Sequence, residues 1–418
     1  MALDNDTRRF ITHGDGLAIA EKLADIADRI SANGNIWHHG FRRDNTDSNP
    51  ATRLTPLYDS VGVAPAYMDF TNGVFVAGGW QWLIDLFYPV MVDANGIEVY
   101  KLNKMNHQLK ENGEASAAFD ATSSLNAMSC LSQRIYRKHW SSGNYEYFEF
   151  SNVKLDEDFH ADGYERADGS LCSKLYFPMF AGYKDSNNKL RSLGGQAVWC
   201  NTGGAQNEID AASAMGSNFR IWDLAHRTLI EELCLLISLN DNVQAAFGQG
   251  DTSTYNASAT NYGHVNTGTL YDKGAFFGYS DTTHEVKVFY IEKLWGNNWD
   301  RVLGCVLVND VLKCKLKPPF NLTGEDYDTV GITLPASGWQ KETQNTRYGS
   351  FPKTNGGSDS TYICDYWYKN ASGTRVLIVG SHCDAGSACG RCWHLTDEAG
   401  GSRWALGASL LLEQPLGA

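Results

Sequence analysis

Cys389-Gly390-Arg391-Cys392, with Cys383 before it and His394 after it, is the nearest approach in this chain to a metal or redox centre. Thiolate and imidazole are the ligands zinc prefers, but a structural site takes four of them and usually a second paired knuckle. No second CxxC occurs in the sequence. A thioredoxin-like centre would need a strand ahead of the motif and a helix behind it; here a Gly-rich loop and a strand are expected to follow. His38-His39, Asp156-Glu157-Asp158 and Glu231-Glu232 are the other groups with catalytic chemistry, and each reads as a solvated surface feature. Two carboxylates in a cleft would serve a glycosidase, yet a chain with 48 Asp and Glu residues offers such pairs by chance. Asp251, Asp272 and Asp281 lie where an oxygen-ligated cation such as calcium could sit, but their spacing fits no calcium-loop motif. There is no GxSxG, HExxH, Walker loop or GxGxxG between a strand and a helix. The expectation is no catalytic residue, no metal and no cofactor.

The C-terminal stretch reads as a surface. Gly380, Gly386, Gly390 and Gly407 set turns, while Leu395, Trp404 and Leu406 are spaced as a core. The residues between them are chemically incoherent (His, Asp, Ala, Thr, Arg) and do nothing for such a frame, so they are expected to face solvent.

The elements that must carry this surface are mixed. Ile19, Leu23, Ile26 and Ile30 follow a 4-3-4 spacing and predict a helix over 16–34, stopped by Gly34. That stripe fits either a short coiled coil joining protomers or a helix lying on its own chain. From 36 to 75 the chain reads as an irregular linker or attachment module. Strand-like pieces come next at Val74–Ala77, Ile97–Tyr100 and Tyr145–Phe150, with hairpin turns at Asn95-Gly96, Asn112-Gly113, Asp162-Gly163 and Asp168-Gly169. The strongest helix is predicted over 217–239, capped by Ser217 or Asn218, with a broad apolar face from Ile221 to Ile237. Strands are expected at Val286–Ile291 and Val302–Val308, with loops over 250–285 and 318–360. No repeat of fixed period is present.

Composition excludes several classes. With 418 residues, 43% of them hydrophobic, the chain can bury a sizeable core in two or three domains. A net charge of −13 opposes nucleic-acid binding, which wants a basic stripe. No apolar run reaches the roughly 20 residues of a membrane span, and the first ten residues lack the apolar core of a secretory signal. Synthesis in a cytoplasm is expected, with exit, if any, by another route such as lysis. The ten scattered cysteines read as small buried hydrophobes.

Several segments resemble a known family. Tyr183-Lys184-Asp185 to Lys189-Leu190-Arg191-Ser192-Leu193-Gly194-Gly195 is similar to its "KLRS-x-x-G" segment; Phe219-Arg220-Ile221-Trp222-Asp223-Leu224 looks like the opening of its long helix, and Gly248-Gln249-Gly250 resembles the segment just after that helix. Val286 to Ile291 with Trp295-Gly296-Asn297 resembles its "FGIEN-x-WGN" strand and turn, Tyr290 replacing Gly. Val379-Gly380 to Gly386, Gly390 and Trp404-Ala405-Leu406-Gly407 resemble its variable region, with Cys383 in place of a framework Trp and Ser381 in place of Gly. From about residue 125 onward the chain thus resembles the C-type-lectin-like, formylglycine-generating-enzyme-type domain of phage tail proteins. More narrowly it is similar to the variable proteins of diversity-generating retroelements, the group that includes the phage major tropism determinant.

The resemblance implies an α+β fold: a C-type-lectin-like ligand-binding domain over 125–418, a small β-rich region over 75–124, and an N-terminal helix and attachment region over 1–74. It implies a variable region over 376–410 in which Ser381, His382, Asp384, Ala385, Ala388, Trp393, His394, Thr396, Asp397, Gly401, Arg403 and Ala405 touch the ligand, with Trp393, His394 and Arg403 as anchors. The function it implies is a non-enzymatic receptor-binding protein of a virion, adhering to a bacterial surface protein or glycan. Its other partners would be phage tail proteins and its own copies, a trimer favoured, with no membrane insertion. The rivals are a tail-borne glycan hydrolase or formylglycine-generating type of enzyme on the same scaffold, and a structural tail or capsid decoration.

Overall fold

The computed structural model describes residues 13–416, with side chains from residue 22 onward. The chain is a strand-rich α+β structure built on three large sheets. One sheet has four strands, with His38–Asp44 and Tyr145–Ser151 at its centre. A six-stranded sheet runs through Leu410–Leu412, Leu175–Pro178, Asn126–Leu131 and Phe87–Val92. The largest, of nine strands, places Trp299–Val308, Thr374–Val379, Trp393–Asp397, Tyr366–Lys369 and Gly338–Thr346 side by side in that order. Tyr366–Lys369 and Trp393–Asp397 are parallel, and the other pairs in that series are antiparallel.

Both expected domain boundaries cut through these sheets. Phe87–Val92 pairs with Asn126–Leu131 across residue 124, and His38–Asp44 pairs with Tyr145–Ser151 across both 74 and 124. Residues 36–75 are therefore no linker: they supply the strands His38–Asp44, Leu54–Tyr58, Tyr67–Asp69 and Val74–Val76. One apolar core runs from Phe41 to Leu411, so no region is bounded by its own core. A second expected loop, 318–360, contains the long hairpin Gly338–Thr346 with Gly349–Asn355.

The helix Leu224–Ser238 crosses the centre with every residue buried. It starts later than expected because Phe219–Ile221 pairs with Leu410–Leu412 as a strand. Its cap is Asp223, which accepts the His226 backbone N–H at 3.0 Å, and it ends at Leu239 in the left-handed region. Total burial overturns the surface reading of Glu231 and Glu232, because a charge in a core helix needs partners. Glu231 takes a 2.6 Å bond from Arg227. Glu232 meets Arg137 at 3.0 Å and His139 at 3.1 Å. His39 is also buried, between Trp80 and Trp82, and burial holds its imidazole down at about 4 despite Asp59 nearby.

Val286–Ile291 is not one strand: Phe289 and Tyr290 have positive φ and turn the chain between Lys287–Val288 and Ile291–Glu292. The N-terminal helix is His13–Ala32. Its polar edge holds the body, with Asp28 accepting from Arg134 and, at 2.8 Å, from the Tyr136 hydroxyl. Leu23, Ile26 and Ile30 point away from the body, 61%, 51% and 73% exposed. Ile19, the fourth residue of the stripe, lies outside the described side chains. No described helix is long and apolar enough to cross a membrane.

Candidate functional site

In a strand, successive side chains alternate between the two faces of the sheet. Across the three strands that hold the C-terminal stretch this rule sorts the residues. Trp367, Leu377, Val379, Trp393 and Leu395 enter the main core. Ile378 and the part-buried Tyr366 and Tyr368 turn to the other face, over a small cluster of Trp299, Cys392, Ala405 and Leu406. His394 joins them, paired in register with Tyr368 on one side and Ile378 on the other.

The result is a ribbon of aromatic rings crossing the strands. Trp339 meets Tyr366 at 5.3 Å between centroids, Tyr366 meets Tyr368 at 4.3 Å, and Tyr368 meets His394 at 3.7 Å. Trp299 lies 4.3 Å from His394 and 5.9 Å from His382. His382 meets Trp404 at 5.2 Å, and Trp404 meets Tyr255 at 4.2 Å. Edge-on and tilted contacts of this kind are the favoured ring geometries.

Beside the ribbon, the loop between Val379 and Trp393 is fixed largely through its backbone. Gly380 N–H donates to Cys392 O at 3.0 Å, Cys383 N–H to Asn297 O at 2.9 Å, and Gly386 N–H to Thr252 O at 3.1 Å. Arg391 N–H donates to Asp365 Oδ1 at 2.9 Å. A Cβ on Gly390 would sit 2.2 Å from that same oxygen, so this position needs glycine for close approach as well as for its φ of +110°. Below the loop Asn297 is a hub: its Oδ1 faces His264 Nδ1 at 3.0 Å and its Nδ2 donates to Val265 O at 2.9 Å.

The ribbon carries little charge. Burial lowers His382 to about 4, Asp384 opposing and Arg403 assisting. Burial likewise lowers His394 to about 2, again with Arg403 assisting. Both imidazoles are neutral near pH 7. At the margin Arg403 pairs with Asp397, and Arg375 pairs with Glu398 at 3.0 Å.

Of the twelve expected contact residues, Asp384 and Arg403 are exposed, and His382, Ala385, Ala388, His394, Thr396, Asp397 and Gly401 are part-buried. Ser381, Trp393 and Ala405 are buried, at 1%, 7% and 3% exposure, which corrects their placement on the surface. Trp393 follows from the pleat, since its neighbour His394 takes the outer face. Its indole packs edge-on to Phe351 at 5.6 Å and donates to Glu231 at 3.2 Å. Ser381 is drawn in at the turn, with φ +70°, and Ala405 packs beside Trp299 in the small cluster. Trp404, expected in the core, is part-buried on the ribbon.

The residues missed are Trp339, Tyr366, Tyr368, Trp299 and Tyr255. The run Tyr366-Trp367-Tyr368 carried a signal, since alternate aromatics in a strand put rings on both faces. Trp339 lay in a stretch read as loop and carried none.

The thiols of the CxxC part from each other: Cys389 lies 3.6 Å from Gly380 O, and Cys392 donates to Tyr366 O at 2.6 Å. Burial pushes the Cys389 thiol up to about 12. All ten cysteines are unbridged, and among the described residues no three His, Cys, Asp or Glu side chains gather as a metal site. Asp251 instead accepts from the Thr254 hydroxyl at 2.7 Å, and Asp281 contacts His284 at 2.6 Å. Beneath Trp393 a cavity of about 40 Å³ is lined by Arg43, Glu231, Asp365 and Arg391 together with Pro352 and Ile363, room for a water or two and not for a substrate. No protein-family model matches the chain, and no curated protein matches it.

Proposed function

We propose that the chain is a non-enzymatic receptor-binding protein of a phage tail, a virion component that adheres to a bacterial surface through its C-terminal face on a C-type-lectin-like scaffold. The observation that carries this reading is the division of labour in the loop after Val379. Backbone groups make the bonds Gly380 to Cys392, Cys383 to Asn297 and Gly386 to Thr252, so most of the loop's shape is held independently of its outward side chains, His382 alone of them taking part by accepting the Asp384 N–H at 3.1 Å. His382, Asp384 and Ala388 occupy the outward positions, Ala385 between them packs against the main core, and Thr396, Asp397, Gly401 and Arg403 follow in the same C-terminal stretch. Assembly with its own copies, a trimer favoured, and with other tail proteins belongs to the same reading, because several weak contacts on one particle sum to firm adhesion.

The test is adhesion of the labelled full chain to a panel of bacteria. Adhesion to particular strains, abolished by the combined replacements His382→Ala, Asp384→Ala and Arg403→Ala, is the expected result. Adhesion that survives all three removes this face from the reading, and adhesion to none of the strains removes the receptor-binding function.

A further inference from the structure

The ribbon is more specific than a generic sticky patch. Its rings succeed one another across three neighbouring strands, from Trp339 on Gly338–Thr346 through Tyr366 and Tyr368 to His394, with successive centroids 5.3, 4.3 and 3.7 Å apart and the buried Trp299 behind His394. It continues beyond Trp299 through His382, Trp404 and Tyr255. Such a track matches an extended chain ligand better than a compact one.

Its polar atoms are equally telling. Among the described residues the indole N–H groups of Trp393, Trp367 and Trp295 donate to Glu231, Pro335 O and Gly248 O. Those of Trp339 and Trp404 donate to none and are not sealed from solvent. The hydroxyls of Tyr366 and Tyr368 likewise bond to no described residue and stay open to water. Tryptophan and tyrosine with a wet polar tip and an apolar body are the residues that serve binding surfaces.

Charge narrows the ligand class. The ring positions hold no ion near neutral pH, because both histidines are neutral; at the margin Arg403 is paired with Asp397 and Arg375 with Glu398, and the exposed carboxylate of Asp384 stands beside His382 with no ion pair among the described residues. An anionic ligand would find no free cation on the track and would meet the exposed carboxylate of Asp384, and a cationic one would find that single carboxylate at the margin and none among the rings. The complementary partner is uncharged, extended and rich in hydroxyls, with flat faces of C–H bonds. The C–H face of a pyranose ring carries slight positive charge and lies against the negative face of an aromatic ring.

We propose that the ribbon formed by Trp339, Tyr366, Tyr368, His394, His382 and Trp404 is a binding track for an uncharged polysaccharide. Sugar rings lie along the aromatic faces, and their hydroxyls bond to the open indole N–H and phenol O–H groups. This rests on the receptor-binding reading above and names the class of receptor.

The experiment uses strains that hold the full chain in the adhesion test. They are treated with periodate, which cleaves vicinal diols, or with protease, and their extracted neutral polysaccharide is titrated with the protein. Adhesion should be lost after periodate and kept after protease. Tyr368→Ala and Trp404→Ala should each weaken binding to the extracted polysaccharide at least tenfold, and Tyr368→Phe, which keeps the ring and the fold, by about threefold, the scale of one hydrogen bond. Trp140→Ala, an exposed ring outside the ribbon, should leave it unchanged. Adhesion lost to protease and kept after periodate overturns the polysaccharide while leaving receptor binding intact, and so does unaltered titration by folded Tyr368→Phe and Tyr368→Ala proteins. Absence of adhesion to any strain is failure of the underlying reading instead.

Discussion

Arg43 grips Asp241 through two N–H···O bonds, Nη2 to Oδ1 at 2.7 Å and Nε to Oδ2 at 2.8 Å. The two residues stand 198 positions apart, and the same carboxylate also accepts from Arg391 at 3.1 Å with Arg53 at 3.2 Å. Asp241 thereby ties the strand His38–Asp44, the end of the central helix region and the last turn of the loop between Val379 and Trp393 into one network. Burial alone would raise its pKa; Arg43, then Arg53 and Arg391, outweigh that and hold it below the usual carboxylate range.

Asp241→Asn removes the charge shared by the buried guanidiniums of Arg43 and Arg53 and the part-buried one of Arg391. Leaving buried charges uncompensated costs about 3–5 kcal/mol, so the variant should unfold at clearly lower urea concentration. Asp156→Asn, at an exposed site, should change stability by less than about 0.5 kcal/mol. Equal denaturation midpoints for the two variants would remove the network from the account.

Trp393 and His394 are adjacent in sequence and opposite in role. Trp393→Ala should cost about 3–5 kcal/mol through the cavity it opens, and it also strips Glu231 of a donor. His394→Ala, on the outer face, should cost less than half of that and should weaken adhesion instead. Thermal melting of the two variants beside their adhesion decides it; a mild loss for Trp393→Ala would place the indole outside the core.

How far these features could be read in advance depends on how local their causes are. Gly390 and Gly407 were legible because a turn or a close approach leaves a trace in residue type: a Cβ on Gly407 would meet Trp199 O at 2.4 Å. The Leu23–Ile26–Ile30 stripe was legible from its period. Trp393 was misplaced because only pairing with Thr374–Val379 and Tyr366–Lys369 sets the phase of its strand. The hairpin at Gly338–Thr346 was hidden because polar strands carry no apolar alternation, and Glu231 and Glu232 looked solvated because their partners Arg137, His139 and Arg227 are brought in by the fold.

The helix His13–Ala32 presents Leu23, Ile26 and Ile30 to solvent while Asp25 and Asp28 bond to the body. In heptad terms Leu23 and Ile30 take position a and Ile26 position d, and isoleucine at d shifts preference from two strands to three or more. The full chain should sediment as a trimer or larger at micromolar concentration, and Leu23→Asn with Ile26→Asn and Ile30→Asn should return it to one copy. A wild-type monomer would leave the stripe without this partner.

Asp365 supplies a pH dependence with an unusual sign. Burial pushes its carboxyl up to about 7, Arg391 opposing, with Glu231 and Asp241 adding to the rise. Between pH 4 and 7 the folded chain therefore keeps a proton that the unfolded chain releases, and on this account stability falls as pH rises through that window. His382 and His394 act oppositely. Held at about 4 and about 2, they stay neutral where the unfolded chain's imidazoles take up protons, so their contribution is lost as pH falls below about 6.5. Asp365→Asn deletes only the falling component: Asn still accepts the Arg391 backbone N–H through its amide oxygen, and any repulsion from the Arg391 guanidinium is the same at every pH. The melting temperature of the variant minus that of the wild type should climb steadily from pH 4 to 7 and level off above 7. A difference that stays flat across the window would show that Asp365 is ionised in the folded chain like an ordinary aspartate.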